Sequence, residues 1–219
     1  KARRAGVRRP RLIGTPLGSV FLDTPPRPLR PELEQVLFLG RLAPEKNVHL
    51  LFDAAERLPE KRFRIAGDGP LRDEVVAQAR RLSNLEYLGW LSREQVAAQL
   101  DAADMLVLPS KVEAFGTVAV EAMARGRLVL TSPDCGVTKW PALAGALFTI
   151  APGEAVHGAI ARVAALPAGQ RVETAARARA AATRLNEATL DQWRRLLYEA
   201  VAPSAAAAGV RPIVAAQKL

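Results

Sequence analysis

The sequence predicts an α/β fold, a Rossmann-like three-layer domain built on a parallel six-stranded sheet. Six short apolar runs are separated by segments in which apolar residues recur at helical spacing. The run that ends at Leu39 is continuously apolar, as expected of a strand buried on both faces. Strands that alternate with helices in this way are typical of βαβ units. The predicted strands are 35–39, 63–66, 85–88, 105–108, 128–130 and 147–150.

The helices between these strands are predicted from helical spacing and from residues that favour helix ends. Pro44 suits the first turn of one helix and Pro70 that of a second. Ser92 and Gln95 have the spacing of a capping box, which predicts the start of a third helix. A fourth helix follows Thr117 and ends at Gly126. The predicted closing helices are 153–166, 169–184 and 187–200, the last with Asn186 as its N-cap.

Changes in composition divide the chain into three parts. Residues 1–34 are basic and then proline-rich, and we expect them to form a lead-in that packs on the domain. Residues 35–200 contain the predicted strands and helices, and residues 201–219 are expected to be a tail that is weakly ordered or docked elsewhere. Because the chain begins at Lys1 and not at methionine, we interpret it as a processed product, an excised piece or an engineered one.

The composition favours a cytoplasmic protein. Apolar residues make up 49% of the 219 positions, which is ample for a folded core. No apolar run has the length of a membrane span, and no signal peptide is recognised. One cysteine, Cys135, excludes an internal disulfide and is interpreted as a buried or loop residue.

The formal charge of +9 favours polyanionic partners, namely nucleic acid, an acidic membrane surface or phosphorylated ligands. Much of the positive charge lies near the start of the chain and in 171–184. Aromatic residues are 5% of the chain and do not alternate with these basic residues, as a stacking platform for nucleic acid would require. We therefore expect no nucleic-acid binding. The basic face is either solvated or apposed to the inner face of a membrane.

Residues 104–126 predict a buried strand, a loop that carries Glu113, and a helix that carries Glu121. The glycine break between the carboxylates lets both face a ligand whose anionic part lies at the helix N-terminus. Arg41 and Lys46 flank the predicted start of an earlier helix. Taken alone, these two cations suit a solvated surface. Together with a second helix start at the same sheet edge, they favour a diphosphate site.

Residues 67–72 begin like a dinucleotide-binding fingerprint, but Arg72 occupies the position of its third glycine. Gly67 is therefore part of a tight strand-to-helix turn or of a place where the backbone approaches a ligand closely. The sequence contains no cluster with metal-ligand spacing, so we expect no metal site.

Five motifs follow one another along the chain: Gly40-Arg41 with Glu45-Lys46, Ala66-Gly67-Asp68-Gly69-Pro70, Leu88-Gly89, Asp104 with Pro109-Ser110, and Glu113-Ala114-Phe115-Gly116 with Glu121-Ala122-Met123-Ala124 and Gly126. In order and spacing they resemble the C-terminal, donor-binding domain of retaining glycosyltransferases. The resemblance is to glycosyltransferase family 4 (group 1), which has the GT-B fold, and it covers about residues 12–200.

The resemblance implies a site for a nucleoside-diphosphate sugar, linked to UDP, GDP or ADP. Arg41 and Lys46 match the pair of cations that contact the donor diphosphate. Glu113 matches the glutamate that usually contacts the transferred sugar. Glu121 matches the glutamate that accepts hydrogen bonds from the ribose hydroxyls. The resemblance implies neither a metal ion nor a cofactor.

The resemblance also assigns backbone contacts. Phe115, Gly116 and Thr117 fall where backbone N–H groups meet phosphate and sugar. Trp90 and Leu91 fall where the main chain usually holds the base.

The sequence departs from the family pattern at two places. Arg127-Leu128 stands where the family has a proline-valine pair, and 134–139 replaces its double glycine and glutamate. The GT-B fold also has an N-terminal, acceptor-binding domain, for which this chain has no room. We therefore expect the chain to be weakly active or inactive alone, with the missing domain in the same or another chain. The alternative is a non-catalytic nucleotide-binding or assembly module that pairs with a separate acceptor-domain chain.

Overall fold

A computed structural model of the chain describes the backbone of residues 13–207 and the side chains of residues 13–199. The described residues form two compact units. The larger is Leu17–Thr183, and the smaller combines 13–16 with the part of the chain after 183. The larger unit contains the sheet and every candidate site residue.

The sheet consists of six strands that all run parallel. They are β1 (Gln35–Leu39), β2 (Arg62–Ala66), β3 (Leu85–Gly89), β4 (Met105–Leu108), β5 (Leu128–Thr131) and β6 (Phe148–Thr149). Their order across the sheet is β3-β2-β1-β4-β5-β6. The predicted three-layer α/β fold with a six-stranded parallel sheet is thus confirmed. The strand order reverses between β1 and β4, which is where folds of this kind bind ligands.

Six α-helices accompany the strands: α1 (His49–Arg57), α2 (Arg72–Arg81), α3 (Arg93–Ala102), α4 (Thr117–Ala124), α5 (Val156–Ala164) and α6 (Ala168–Ala207). The capping box predicted for α3 is confirmed. The Gln95 N–H donates to the Ser92 hydroxyl, and the Ser92 N–H donates to the Gln95 side chain.

The helix predicted from Pro44 begins later than the sequence indicates. Pro44–Lys46 forms a single 3₁₀ turn, and α1 starts only at His49. Asn47 separates the two because its backbone is left-handed, with φ of 52°, and its side-chain amide donates to the Pro109 carbonyl. Lys46 therefore lies in a short turn that is fastened to the loop after β4.

The prediction of separate helices at 169–184 and 187–200 was wrong, because α6 runs without a break through both. Asn186 is a buried residue inside this helix, not its N-cap. The segment contains no glycine or proline near this junction, and its many alanines and arginines favour continued helix. Residues 201–207 extend α6, and the rest of the predicted tail, 208–219, lies outside the described residues.

In the smaller unit, α6 contacts the segment at the start of the described chain. The Trp193 indole N–H donates to the carbonyl of Gly14 at 3.2 Å. Trp193 is 42% exposed, so this hydrogen bond holds a surface indole against that segment.

Buried arginines fasten the proline-rich lead-in to the domain. Arg125 and Arg127 are each only 2% exposed. Arg125 donates to both carboxylate oxygens of Asp101 and to the carbonyl of Thr24 at 2.8 Å. Arg127 donates to the carbonyls of Ala103, at 3.0 Å, and Arg27. Because buried charges are stable only when paired, these contacts hold residues 24–27 against the rest of the larger unit.

Asp104 completes this attachment from the start of β4. Its carboxylate is 1% exposed and accepts hydrogen bonds from the Arg30 guanidinium at 2.8 and 3.0 Å. It also accepts from the backbone N–H groups of Glu34 and Gln35 at 2.9 and 2.8 Å. One buried carboxylate therefore joins the lead-in, the start of β1 and the start of β4.

Two glycines allow loops at the carboxyl ends of the strands to approach closely. A Cβ on Gly67 would lie 1.8 Å from the carbonyl oxygen of Gly40. A Cβ on Gly136 would lie 1.9 Å from the carbonyl oxygen of Ala114. Neither position can accept a side chain unless the neighbouring loop moves, so both loops depend on glycine at these points.

Replacing Arg125 tests the attachment of the lead-in. We expect Arg125→Ala to lower the free energy of unfolding by about 3 kcal/mol, because it leaves Asp101 without its partner and the Thr24 carbonyl without its donor. Urea denaturation monitored by circular dichroism measures this change. Arg177→Ala is the control. It breaks a surface ion pair with Glu173 and should cost no more than about 0.5 kcal/mol. Equal losses in the two variants would contradict the assignment.

Replacing Gly136 tests the close approach of the loops. We expect Gly136→Ala to lower the free energy of unfolding by about 1–3 kcal/mol, because the new methyl group overlaps the Ala114 carbonyl. Gly169→Ala is the matched control, since nothing lies within 4 Å of its Cβ position. Thermal and urea unfolding of both variants give the comparison. Unchanged stability in Gly136→Ala would show that the loop accommodates the methyl group.

Candidate functional site

The candidate site is a cavity at the carboxyl ends of β1 and β4, where the strand order reverses. Its volume is about 390 Å³. Six of the residues predicted from the sequence line it: Arg41, Lys46, Glu113, Gly116, Thr117 and Glu121. The structure therefore brings together cations and carboxylates that are far apart in the sequence.

A second cavity, of about 340 Å³, adjoins the first. It is lined by Gly67, Trp90 and Leu91, the remaining predicted residues apart from Phe115. The Trp90 side chain is exposed. Both cavities are lined by Leu39, Gly40, Arg41 and Val96, so together they form one cleft along the carboxyl edge of the sheet.

Phe115 is the one predicted residue that lines neither cavity. Its ring packs edge-on against Trp140, with ring centroids 5.1 Å apart and an angle of 66° between the planes. The side chain therefore anchors the loop before α4 and does not form a wall of the cleft.

Lys46 and Glu113 form an ion pair inside the first cavity. Their side chains are 18% and 20% exposed, so the pair is shielded from most of the solvent. A backbone hydrogen bond from Lys111 N–H to the Glu45 carbonyl, at 2.8 Å, joins the same two loops. The short turn after β1 and the loop after β4 are thus held together by both charge and backbone.

Cys135 packs against the loop that carries Glu113. It is completely buried and forms a parallel β-bridge with Glu113. Burial raises the pKa of the Cys135 thiol, which favours its neutral form. A Cβ on Gly116 would lie 2.8 Å from the Cys135 sulfur, so the thiol packs directly beneath the start of α4. Cys135 is accordingly a packing residue, as the sequence indicates.

The N-terminus of α4 points its first residues at the cavity. Gly116 is the N-cap, with a left-handed backbone and φ of 83°, and it provides no side-chain cap. Thr117 and Val118 line the cavity immediately after it. The helix dipole and free N–H groups of such a first turn favour an anion.

Glu121 lies one turn further along α4 and is 8% exposed. Burial raises the pKa of its carboxyl group, and the positive charge of Arg93 opposes that rise. Arg93 Nη2 lies 3.4 Å from Glu121 Oε1. The sequence did not single out Arg93, because no motif connects the start of α3 with α4. Only the packing of the two helices shows the contact.

The cleft can bind an anion that carries hydroxyl groups. Arg41, Lys46 and the N-terminus of α4 attract negative charge, whereas Glu113 and Glu121 accept hydrogen bonds from hydroxyls. Among the side chains of residues 13–199, no group of three or more His, Cys, Asp or Glu is placed to hold a metal ion.

A larger cavity, of about 1170 Å³, lies elsewhere, at the amino ends of β1–β3. Exposed charged residues such as Arg62, Arg80 and Glu86 line it, and it contains none of the predicted site residues. We assign function to the smaller cleft because Rossmann-like sheets bind ligands at the carboxyl ends of their strands.

No helix in the described part of the chain has both the length and the apolar character needed to cross a membrane.

Sequence relatives of this chain are sugar transferases. The chain is 40% identical over 105 residues to a glycogen synthase from Mycobacterium tuberculosis, an alignment that covers 45% of this chain and 25% of that protein. It is 38% identical over 118 residues to a D-inositol 3-phosphate glycosyltransferase from Mycobacterium sp., covering 50% of this chain and 27% of that protein. The matched region is thus about a quarter of the length of these relatives.

Solved structures share the fold. A sucrose-phosphate synthase from Thermosynechococcus elongatus has a TM-score of 0.75 at 24% identity, over 92% of this chain and 56% of that chain. The Anabaena protein Alr3699/HepE in complex with UDP-glucose has a TM-score of 0.60 at 25% identity, over 74% of this chain and 48% of that chain.

The family model described as "Glycosyl transferases group 1" matches residues 23–184. This region contains all six strands and all residues of the cleft. The match covers well over half of the chain, which therefore belongs to the group 1 glycosyltransferases.

Proposed function

We propose that this chain is the donor-binding domain of a retaining, metal-independent glycosyltransferase of family 4, with the GT-B fold, and that it binds a nucleoside-diphosphate sugar. The observation that carries the proposal is the single cleft in which Arg41, Lys46, Glu113 and Glu121 converge at the strand-order reversal. The similarity to Alr3699/HepE, whose structure contains UDP-glucose, supports this class of ligand.

The donor diphosphate would lie between Arg41, Lys46 and the N-terminus of α4. The guanidinium can donate two hydrogen bonds to phosphate oxygens, and the ammonium adds a compact charge. When the bond between the sugar and the diphosphate breaks, negative charge grows on the diphosphate. Cations fixed at that position stabilise the leaving group, which is the contribution a metal ion makes in other transferases.

The nucleoside would extend into the second cavity. Glu121 would accept hydrogen bonds from the ribose hydroxyls, and the main chain at Trp90 and Leu91 would contact the base. Gly67 allows the loop after β2 to lie close to the loop after β1, since any side chain there would collide with Gly40.

The transferred sugar would lie beside Glu113. In the structure this carboxylate is paired with Lys46. A bound diphosphate offers Lys46 a second anionic partner, so Glu113 can then accept hydrogen bonds from sugar hydroxyls. Backbone N–H groups at Phe115, Gly116 and Thr117 would complete the contacts to phosphate and sugar. The anomeric carbon exchanges its bond to the diphosphate oxygen for one to the acceptor oxygen, with retention of configuration.

The acceptor would bind to a second domain, in the same protein or in another chain. The matched region is about a quarter of the length of the relatives above and about half of the solved structures. Without that domain the chain would be weakly active or inactive. We place the protein in the cytoplasm, where its basic residues would suit the inner face of a membrane.

A non-catalytic nucleotide-binding or assembly module is the second candidate function. The departure from the family pattern at 134–139 favours it, because Asp134 and Lys139 are exposed next to the loop that carries Glu113. Full sugar transfer by the isolated chain would exclude this alternative. Nucleotide binding without turnover, even when acceptor domains are supplied, would favour it.

Calorimetric titration with UDP, GDP and ADP sugars tests the donor site. We expect Glu121→Ala, and separately Arg41→Ala with Lys46→Ala, to weaken binding by at least about tenfold, because each removes charge-assisted hydrogen bonds to the ligand. Arg62→Ala with Arg80→Ala removes the same positive charge from the large cavity at the amino ends and should bind as the unmodified chain does. Equal affinity in all four proteins would contradict the donor site.

A further inference from the structure

Arg93 lies where three parts of the larger unit meet. It is the first residue of α3, directly after the segment that contains Trp90 and Leu91. Its guanidinium contacts Glu121 of α4, with Nη2 3.4 Å from Oε1. The guanidinium carbon also lies 5.8 Å from the ring centroid of Phe21, close enough for a cation–π interaction.

The lead-in leaves a defined space for this guanidinium. Phe21 is only 1% exposed, so its ring is a fixed platform. A Cβ on Gly18 would lie 3.3 Å from Arg93 Nη2 and 3.4 Å from its guanidinium carbon. The absence of a side chain at Gly18 therefore allows the guanidinium to pack against the backbone. Although the Arg93 side chain is 63% exposed, its charged end is held on two sides.

Arg93 is the cation that hydrogen-bonds Glu121 among the described residues. The other charged groups that line the cavity are Arg41, Lys46 and Glu113. Lys46 is paired with Glu113, and Arg41 comes from the loop after β1. Burial raises the pKa of the Glu121 carboxyl and Arg93 lowers it.

We propose that Arg93 is a positioning residue that orients the Glu121 carboxylate toward the hydroxyls of the bound nucleotide. The proposal rests on the proposed function of the cleft as a nucleotide-sugar site. Arg93 fixes Glu121 through Oε1, which limits rotation of the carboxylate and leaves Oε2 for a ligand hydroxyl. Its positive charge also favours the ionised form of the carboxyl group. An ionised carboxylate only accepts hydrogen bonds, as two neighbouring ribose hydroxyls require, whereas a protonated one carries a competing donor.

The pH dependence of nucleotide binding follows from this role. Burial alone places the Glu121 pKa above its ordinary value, and loss of Arg93 raises it further. The carboxylate then becomes protonated at a higher pH than in the unmodified chain. When the pH is lowered, the nucleotide affinity of a variant without Arg93 should therefore begin to fall at a higher pH than that of the unmodified chain. The affinity should recover as the pH rises through the raised pKa.

The test is calorimetric titration with UDP, GDP and ADP, on the chain as it is, from about pH 5 to pH 8.5. For the nucleotide that binds most tightly, Arg93→Ala should weaken affinity about tenfold near the acidic end and less at the alkaline end. Arg93→Lys keeps the charge and should restore most of the affinity at low pH. Arg177→Ala removes a surface arginine paired with Glu173 and serves as the control.

Combination with Glu121→Gln separates positioning from direct contact. Glu121→Gln has no titrating group at this position. Adding Arg93→Ala to it should therefore cause little further loss of nucleotide affinity, and that further loss should not depend on pH. Thermal unfolding of each variant verifies that it is folded. If Arg93→Ala is not folded, Arg93→Lys and Arg93→Gln, which retain most of the side chain, provide the same comparison of pH profiles.

Three results would overturn the proposal. Equal affinity and equal pH profiles for Arg93→Ala and the unmodified chain would show that Arg93 does not act on Glu121, while the nucleotide site itself would stand. A loss that is the same at every pH and persists in Glu121→Gln would make Arg93 a direct ligand contact. If the unmodified chain binds none of the three nucleotides, the proposed function fails and this inference fails with it.

Discussion

The parallel pairing of β1 with β4 is the contact on which the site depends. These strands are neighbours in the sheet although two other strands lie between them in the sequence, and Val36 and Leu37 pair with Met105 and Leu106. The pairing brings the loop after β1 beside the loop after β4, so that Lys46 meets Glu113. Asp104 stabilises the start of both strands through hydrogen bonds to backbone N–H groups at the start of β1. The carboxyl ends of β1 and β4 therefore remain available to form the cleft.

Both carboxylates of the cleft are paired with a cation of the chain itself, Glu113 with Lys46 and Glu121 with Arg93. Such pairing makes it less costly to keep carboxylates in a shielded site. In the proposed donor site, a diphosphate would therefore compete with Glu113 for Lys46. Arg127, at a position where the sequence departs from the family pattern, has a structural role instead. It is buried and donates to the carbonyls of Ala103 and Arg27, so it holds the lead-in and not the ligand.

The apolar runs predicted all six strands. Nine of the ten predicted site residues line the cleft. Charge spacing and a glycine turn indicated five of them, and the resemblance to the family indicated Gly116, Thr117, Trp90 and Leu91. What could not be predicted depends on contacts distant in sequence. Arg93 meets Glu121 only through packing of α3 against α4, and Phe115 turns to Trp140. Two local sequence signals for helix starts also led to wrong predictions. Asn186 resembles an N-cap, yet its helix-favouring neighbours carry α6 past it, and Pro44 begins a 3₁₀ turn because Asn47 is left-handed.

We propose that one nucleoside diphosphate occupies both cavities of the cleft at once. Amide hydrogen exchange of the chain, with and without saturating UDP, GDP or ADP, tests it most directly because it reports every loop in one experiment. With the nucleotide that binds most tightly, we expect slower exchange in all four loop segments together: 40–46, 67–69, 90–91 and 113–121. Saturation without a change in these loops, or protection confined to the amino ends of β1–β3, would contradict it.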